Sequence, residues 1–426
     1  MRLRGLFALA LLLSVPAFGR TLLVATPEQL SPQLAAAQEG DTLLLAPGQY
    51  TGPLTLDKPL TLVGQPGTEL VAVGGGSVLV IDASDVTVRG MTVKGASQAL
   101  FGKTAGIQVL AGHERVRLEA NRIEGQGFGI RADGARHLKI RRNHIGGDPA
   151  LALVLRGDGI HLNGVEEAWV EENRIERVRD GVYLESSRDI SVRGNLMADQ
   201  QYPLHLMYAE GIQAWDNQAE NVAGGWALMD SKEVELHHNS VTGAREFGIL
   251  LNMTEQARVW ENRVKGVHNP DSQDLFDGQG KGLFIYGASG NTVFRNRFED
   301  SEIGIMMALG GEDNQLYANA FVHNRTQVKY LGEQTVVWSH CGVGNYWSGY
   351  DGYDLDGNGV GDTPFRPNDD LDRLFWLYPE ARFLLDSPVV RVIRYLLQRR
   401  PAATGPGVVD LTPLMTAPLS TLESPQ

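Results

Sequence analysis

Three side chains of this 426-residue chain line up as soft metal donors once neighbouring segments are aligned: His205, Met207 and Met229. An imidazole and two thioethers on a rigid sheet suit a soft cation, Cu(I) above all. His161 falls in the column of His205 two segments earlier, and Met306 in the same column several segments later. The competing reading is that outward methionines cover an apolar patch for a partner or pack under a loop. His237, His238 and His268 are weaker metal candidates, since they also read as lone surface histidines. A second group, Asp354-Leu-Asp356-Gly-Asn358-Gly-Val360-Gly-Asp362, matches the first half of a calcium loop, whose alternate carboxylates converge on a hard cation. Phe365 stands where the loop's bidentate Glu belongs, and an Asp/Gly-rich turn without an ion is the alternative. A third group pairs Asp158 and Asp180, each before a Gly, with Arg156 and Arg179 nearby. Polysaccharide-active β-helices need such carboxylates beside a base, but Asp before Gly is also ordinary turn chemistry. No Ser/His/Asp set, phosphate loop or nucleotide signature is present.

The elements that must hold these residues follow from a repeat. The unit is Val-x-x-x-Asn-x, a turn, Gly-Ile or Gly-Val, then an apolar strand. Its asparagines are Asn121, Asn143, Asn173, Asn195, Asn217, Asn239, Asn262, Asn296 and Asn319, most of them 22 or 23 residues apart. Gly-hydrophobic pairs such as Gly129-Ile130, Gly181-Val182 and Gly248-Ile249 keep step. One unit cannot bury its apolar side alone, so units stack at the strand spacing of about 4.8 Å. The expected fold is all-β: a right-handed parallel β-helix with coils of about 22 residues. Each Asn is expected inward at a corner, its amide bonded to the coils above and below. The strand after Gly alternates inward and outward, which stacks Met207 directly against Met229. Two coils are longer, with the excess near Gly146–Leu155 and near His268–Gln279, where loops on a binding face are expected. Residues Glu28–Glu39 look helical and would cap the open N-terminal edge. The repeat fades after Val337. Val389–Arg400 reads as a basic amphipathic helix, and the tail from Pro401 as extended or mobile.

Residues 1–19 have the form of a signal peptide: Arg2 and Arg4, an apolar stretch Leu6–Val15 too short to span a bilayer, and Ala17-Phe18-Gly19 at the cleavage site. The β-helix is expected over 20–340, and a C-terminal cap with its helix and tail over 341–426. Export from the cytoplasm follows. The net charge of −13 disfavours nucleic acid and anionic lipid as partners. The 50 glycines fit many tight turns. The single cysteine, Cys341, excludes an internal disulfide and reads as buried and inert.

Several stretches together resemble the NosD family of periplasmic maturation proteins. They are Leu204-His-Leu-Met-Tyr-Ala209, Gly224-Gly-Trp-Ala-Leu-Met-Asp-Ser231, Gln327-Val-Lys-Tyr-Leu-Gly332, Gly344-Asn-Tyr-Trp-Ser348 and Pro413-Leu-Met415. The resemblance runs over nearly the whole mature chain in order. It implies a non-enzymatic factor that helps assemble the copper–sulfur centre of nitrous oxide reductase. The partners it implies are an ABC transporter permease and ATPase and a copper-chaperone lipoprotein. It strengthens Cu(I) at His205, Met207 and Met229. The tail is longer than the family's, and Asn358 stands where Asp is common, which weakens the calcium reading. Two other classes stay open: a carbohydrate-binding or polysaccharide-cleaving β-helix, and a docking scaffold without metal.

Overall fold

The structure is a computed structural model that describes residues 19–96, 103–270, 278–311, 313–330, 332–368, 370–384, 387–398 and 406–418. The signal segment up to residue 18 and most of the second coil insertion lie outside the described residues. Short apolar-alternating strands dominate, because a coil of about 22 residues leaves room only for three brief strands and their turns. In one coil these are Glu166–Glu171, Arg174–Glu176 and Asp180–Glu185. Stacked coil on coil, all parallel, they form sheets of 13, 13 and 12 strands, here called sheets 1, 2 and 3. The chain is thus a right-handed parallel β-helix.

The register is kept by the inward residues. On sheet 3, Val182 pairs with Leu204, Leu204 with Trp226, and Trp226 with Ile249. All four are fully buried. A one-residue slip would turn each of them outward, at about 1.5–3 kcal/mol per side chain exposed.

The corner between sheets 1 and 2 holds the asparagine ladder. Asn217 Nδ2 donates to Asn239 Oδ1 at 2.9 Å and to the Val192 carbonyl at 2.9 Å. Its Oδ1 accepts from Asn195 N at 3.0 Å and Asn195 Nδ2 at 2.9 Å. The same pattern links Asn121 through Asn319. The ladder runs one rung beyond the spacing-based set, to Asn345, whose Oδ1 accepts from Asn319 Nδ2 at 2.9 Å. Strand Tyr346–Trp347 gives sheet 2 a matching last rung. Asp410 closes the ladder, accepting from Asn345 N at 2.6 Å and from Trp347 Nε1 at 2.8 Å.

Asp410 corrects the reading of the tail as extended or mobile. Strand Gly407–Val409 pairs with Thr335–Val337, and Val408 and Asp410 are buried. The apolar pair Val408-Val409 and the ladder's need for a terminal acceptor fix this segment. At the N-terminal end, the helix Leu30–Ala36 covers the edge as expected. Lys58 Nζ caps its C-terminal carbonyls, donating to Leu34 at 3.1 Å and Ala37 at 3.0 Å. Cys341 is exposed, contrary to expectation, because it sits in a tight turn at φ 50°. Helices at Asp370–Leu377 and Pro388–Gln398 follow the last coil. No helix among the described residues is long and apolar enough to cross a membrane.

Candidate functional site

The outer face of sheet 3 gathers most of the chemistry. Strand Tyr202–Met207 carries His205 and Met207, and strand Trp226–Met229 carries Met229. Met207 and Met229 are direct register partners, and His205 is opposite Ala227. The column of His205 includes Arg131, His161, Tyr183, Leu250, Phe284, Met306 and Lys329.

His205 is held from several sides. Its Nδ1 lies 3.0 Å from Asp180 Oδ2, Tyr183 stacks on it at 4.5 Å, and Tyr202 meets it edge-on at 5.2 Å. Its Nε2 is buried with no hydrogen-bond partner. An imidazole that gives one N–H to a carboxylate and keeps the other nitrogen free has the form of a metal ligand with its orienting partner. Burial pushes the Tyr183 phenol up to about 12, so the ring stays neutral and serves as a platform. Met229 packs, as Tyr202 and Phe284 do, against a buried cluster of Ala227, Phe247 and Leu250. Its thioether therefore borders an apolar patch.

His161 repeats the arrangement one strand beyond Tyr183. Its Nδ1 lies 2.7 Å from Asp158 Oδ2, and its Nε2 is likewise buried without a hydrogen bond. Glu185 comes within 3.7 Å of that nitrogen. Arg179 forks onto Asp158 with two bonds of 2.9 Å and reaches Asp180 at 3.6 Å. The result is a continuous row, His161–Asp158–Arg179–Asp180–His205. Burial pushes the Asp180 carboxyl above the usual carboxylate range, against the hydrogen bond from His205. Arg156 is not part of the row; it bonds the carbonyl of Leu151 at 2.9 Å within the first coil insertion. Met306 stays in the column but is buried and lies four strands beyond His205, so it is remote from the His205 group.

The loop of Asp354, Asp356, Asn358 and Asp362 turns its acceptors on its own backbone. Asp354 accepts from the N–H of Gly357 at 2.7 Å and of Gly359 at 2.8 Å. Asp356 accepts from Asn358 N at 3.1 Å, and Asp362 from Leu355 N at 2.6 Å. That is Asx-turn chemistry, with the carboxylates spent on amides rather than pooled around a cation. Among the described residues, no three His, Cys, Asp or Glu side chains group as a metal cage. Calcium thus finds no support in this loop.

On sheet 2, the first insertion walls a groove of about 510 Å³ that includes Arg122, His144, Asp148 and Arg177. Its cations are already matched: Arg177 and His144 both reach Glu176, at 2.6 and 3.2 Å. His268 is exposed, while His237 and His238 face one another on sheet 1.

The fold is that of a parallel β-helix solenoid whose outer sheet 3 carries methionines and oriented imidazoles. The chain belongs to the NosD family. That family, described as "Periplasmic copper-binding protein (NosD)", matches residues 141–352. A "Probable ABC transporter binding protein NosD" of Stutzerimonas stutzeri is 37% identical over 409 residues, 94% of each chain. A protein of the same description from Pseudomonas aeruginosa PAO1 is 37% identical over 376 residues, 88% of each chain. Among solved structures, the A-module of an Azotobacter vinelandii mannuronan C-5 epimerase aligns with a TM-score of 0.56 at 17% identity, over 72% of this chain and 92% of that one. At that identity the likeness is one of fold.

Proposed function

We propose that this chain receives Cu(I) at His205, Met207 and Met229 and passes it on during maturation of the copper–sulfur centre of nitrous oxide reductase. Copper is cargo here, and the chain itself breaks no bond. The observation that carries the reading is the Met207–Met229 register beside His205, whose Nε2 is buried and unpartnered. Two thioethers and a neutral imidazole select a soft monovalent ion over the hard cations of the periplasm. The names of the relatives support an ABC transporter, permease and ATPase, as partner. A copper-carrying lipoprotein as donor and the reductase as acceptor complete the proposal, with export by the N-terminal signal segment.

The helix Pro388–Gln398 supports the docking half. Val389, Val392, Tyr395 and Leu396 are all more than half exposed. Deleting everything after Asp386 would also remove Asp410 and unfasten the ladder, so substitution is the cleaner test. Val392→Asp with Leu396→Asp is expected to abolish co-purification with the permease while leaving the melting temperature unchanged.

The copper half is tested by X-ray absorption on the Cu(I)-loaded protein. Sulfur and nitrogen scatterers together are expected, and Met207→Leu with Met229→Leu should remove the sulfur shell. A sulfur shell unchanged in that variant would move the site elsewhere. The polysaccharide-cleaving reading is weaker, because Asp158 and Asp180 are buried and bonded to Arg179 and the histidines rather than open to a substrate.

A further inference from the structure

His237 ends the sheet 1 strand Glu235–His237, and His238 fills the corner before the ladder residue Asn239. In an extended strand consecutive side chains point to opposite faces. His238 has φ 55°, and this left-handed turn leaves both rings on the outer surface with their Nδ1 atoms 2.7 Å apart. Both rings are fixed in place. His237 is stacked between Trp215 at 5.9 Å and Trp260 at 4.2 Å, with interplanar angles of 11° and 15°. His238 Nε2 lies 2.7 Å from Glu261 Oε2, and Glu261 Oε1 lies 3.5 Å from Arg295 Nη1.

With its Nε2–H given to Glu261, His238 carries a lone pair on Nδ1, aimed at His237 Nδ1. The two Nδ1 atoms thus face one another, each on a ring held from its other side.

We propose that His237 and His238 form a chelating site for a divalent transition metal of tetragonal preference, Cu(II) first and Ni(II) second. Two imidazole nitrogens with water completing the set suit a tetragonal ion. Water fills the remaining positions, since no third His, Cys, Asp or Glu joins the pair in a metal cage among the described residues. Asp216, at the same corner one coil earlier, and Glu235 add negative charge around His237. The site is on sheet 1, apart from the sheet 3 donors, and stands whether or not Cu(I) binds there.

The test is aerobic titration of the full chain with Cu(II), followed by electron paramagnetic resonance and by quenching of tryptophan emission. The expected result is one tetragonal Cu(II) with coupling to two nitrogens. His237→Phe, which keeps the ring stack, and His238→Asn should each remove that signal. Glu261→Gln should weaken binding about tenfold or more. Met207→Ala with Met229→Ala should leave it unchanged. A two-nitrogen spectrum that persists in both histidine variants, with folding verified by circular dichroism, would overturn the proposal, as would no binding at all.

Discussion

His205 Nδ1 lies 3.0 Å from Asp180 Oδ2, and the unpartnered Nε2 on the other side of the ring is left for a ligand. Asp180 is a positioning residue in this arrangement: its carboxylate holds Nδ1 and leaves Nε2 free. Asp180→Asn keeps an acceptor but loses the charge, and is expected to lower Cu(I) affinity by 10–100-fold, the usual cost of removing such a partner. Competition with a colorimetric Cu(I) chelator reads this directly. The nitrogen signature of the bound ion should be restored by Asp180→Glu if the longer carboxylate still reaches the ring.

The asparagine ladder makes the solenoid brittle at any rung. Asn217→Leu removes four hydrogen bonds and leaves Asn195 N and the Val192 carbonyl buried without partners. At about 1–3 kcal/mol for each orphaned buried group, the loss is several kcal/mol. Thermal unfolding followed by circular dichroism should show a melting temperature lower by several degrees. A surface change one residue on, Gln218→Ala, should be close to neutral.

Asp410 fastens the last rung from 65 residues away along the chain. Asp410→Ala leaves Asn345 N and Trp347 Nε1 unpaired, and should cost about 1–3 kcal/mol for each of the two groups. Hydrogen exchange is expected to quicken around Asn319–Trp347, while the coils near Asn143 keep their protection.

Glu176 gives a pH signature. Burial opposes its ionisation, but hydrogen bonds from His144, Arg177 and Arg174 hold its carboxyl down to about 2 from the ordinary 4.5. A depressed carboxylate stabilises the fold above the unfolded value and loses that contribution as pH falls through the folded one. Glu176→Gln should therefore melt below the unsubstituted protein at pH 7. The gap should close between pH 4.5 and about 2.

The coils were legible because their period is written in residues that face inward: each ladder Asn and each Gly-hydrophobic pair repeats wherever the backbone needs it. The Met207–Met229 stacking follows from the same count. The partners of His205 were not legible as such. Asp180 looked like turn chemistry, and its link to His205 spans 25 residues and crosses from one coil to the next. His237 and His238 were only weaker candidates in the sequence; strand alternation alone would set them on opposite faces, and the left-handed corner at His238 cancels it. The Asp354 motif is ambiguous in itself, since Asp and Asn at alternate positions satisfy backbone amides as readily as a cation. Asp410 carries no periodic signal, and its role appears only where the ladder needs a final acceptor.

The central claim is that Cu(I) is held by the sheet 3 donors. The measurement is anaerobic titration of the mature protein with Cu(I) against a competing chelator, beside the Met207→Ala/Met229→Ala variant. One tightly bound Cu(I) that the variant loses is the predicted result. Binding that the variant leaves unchanged, or no binding by either protein, would contradict the account.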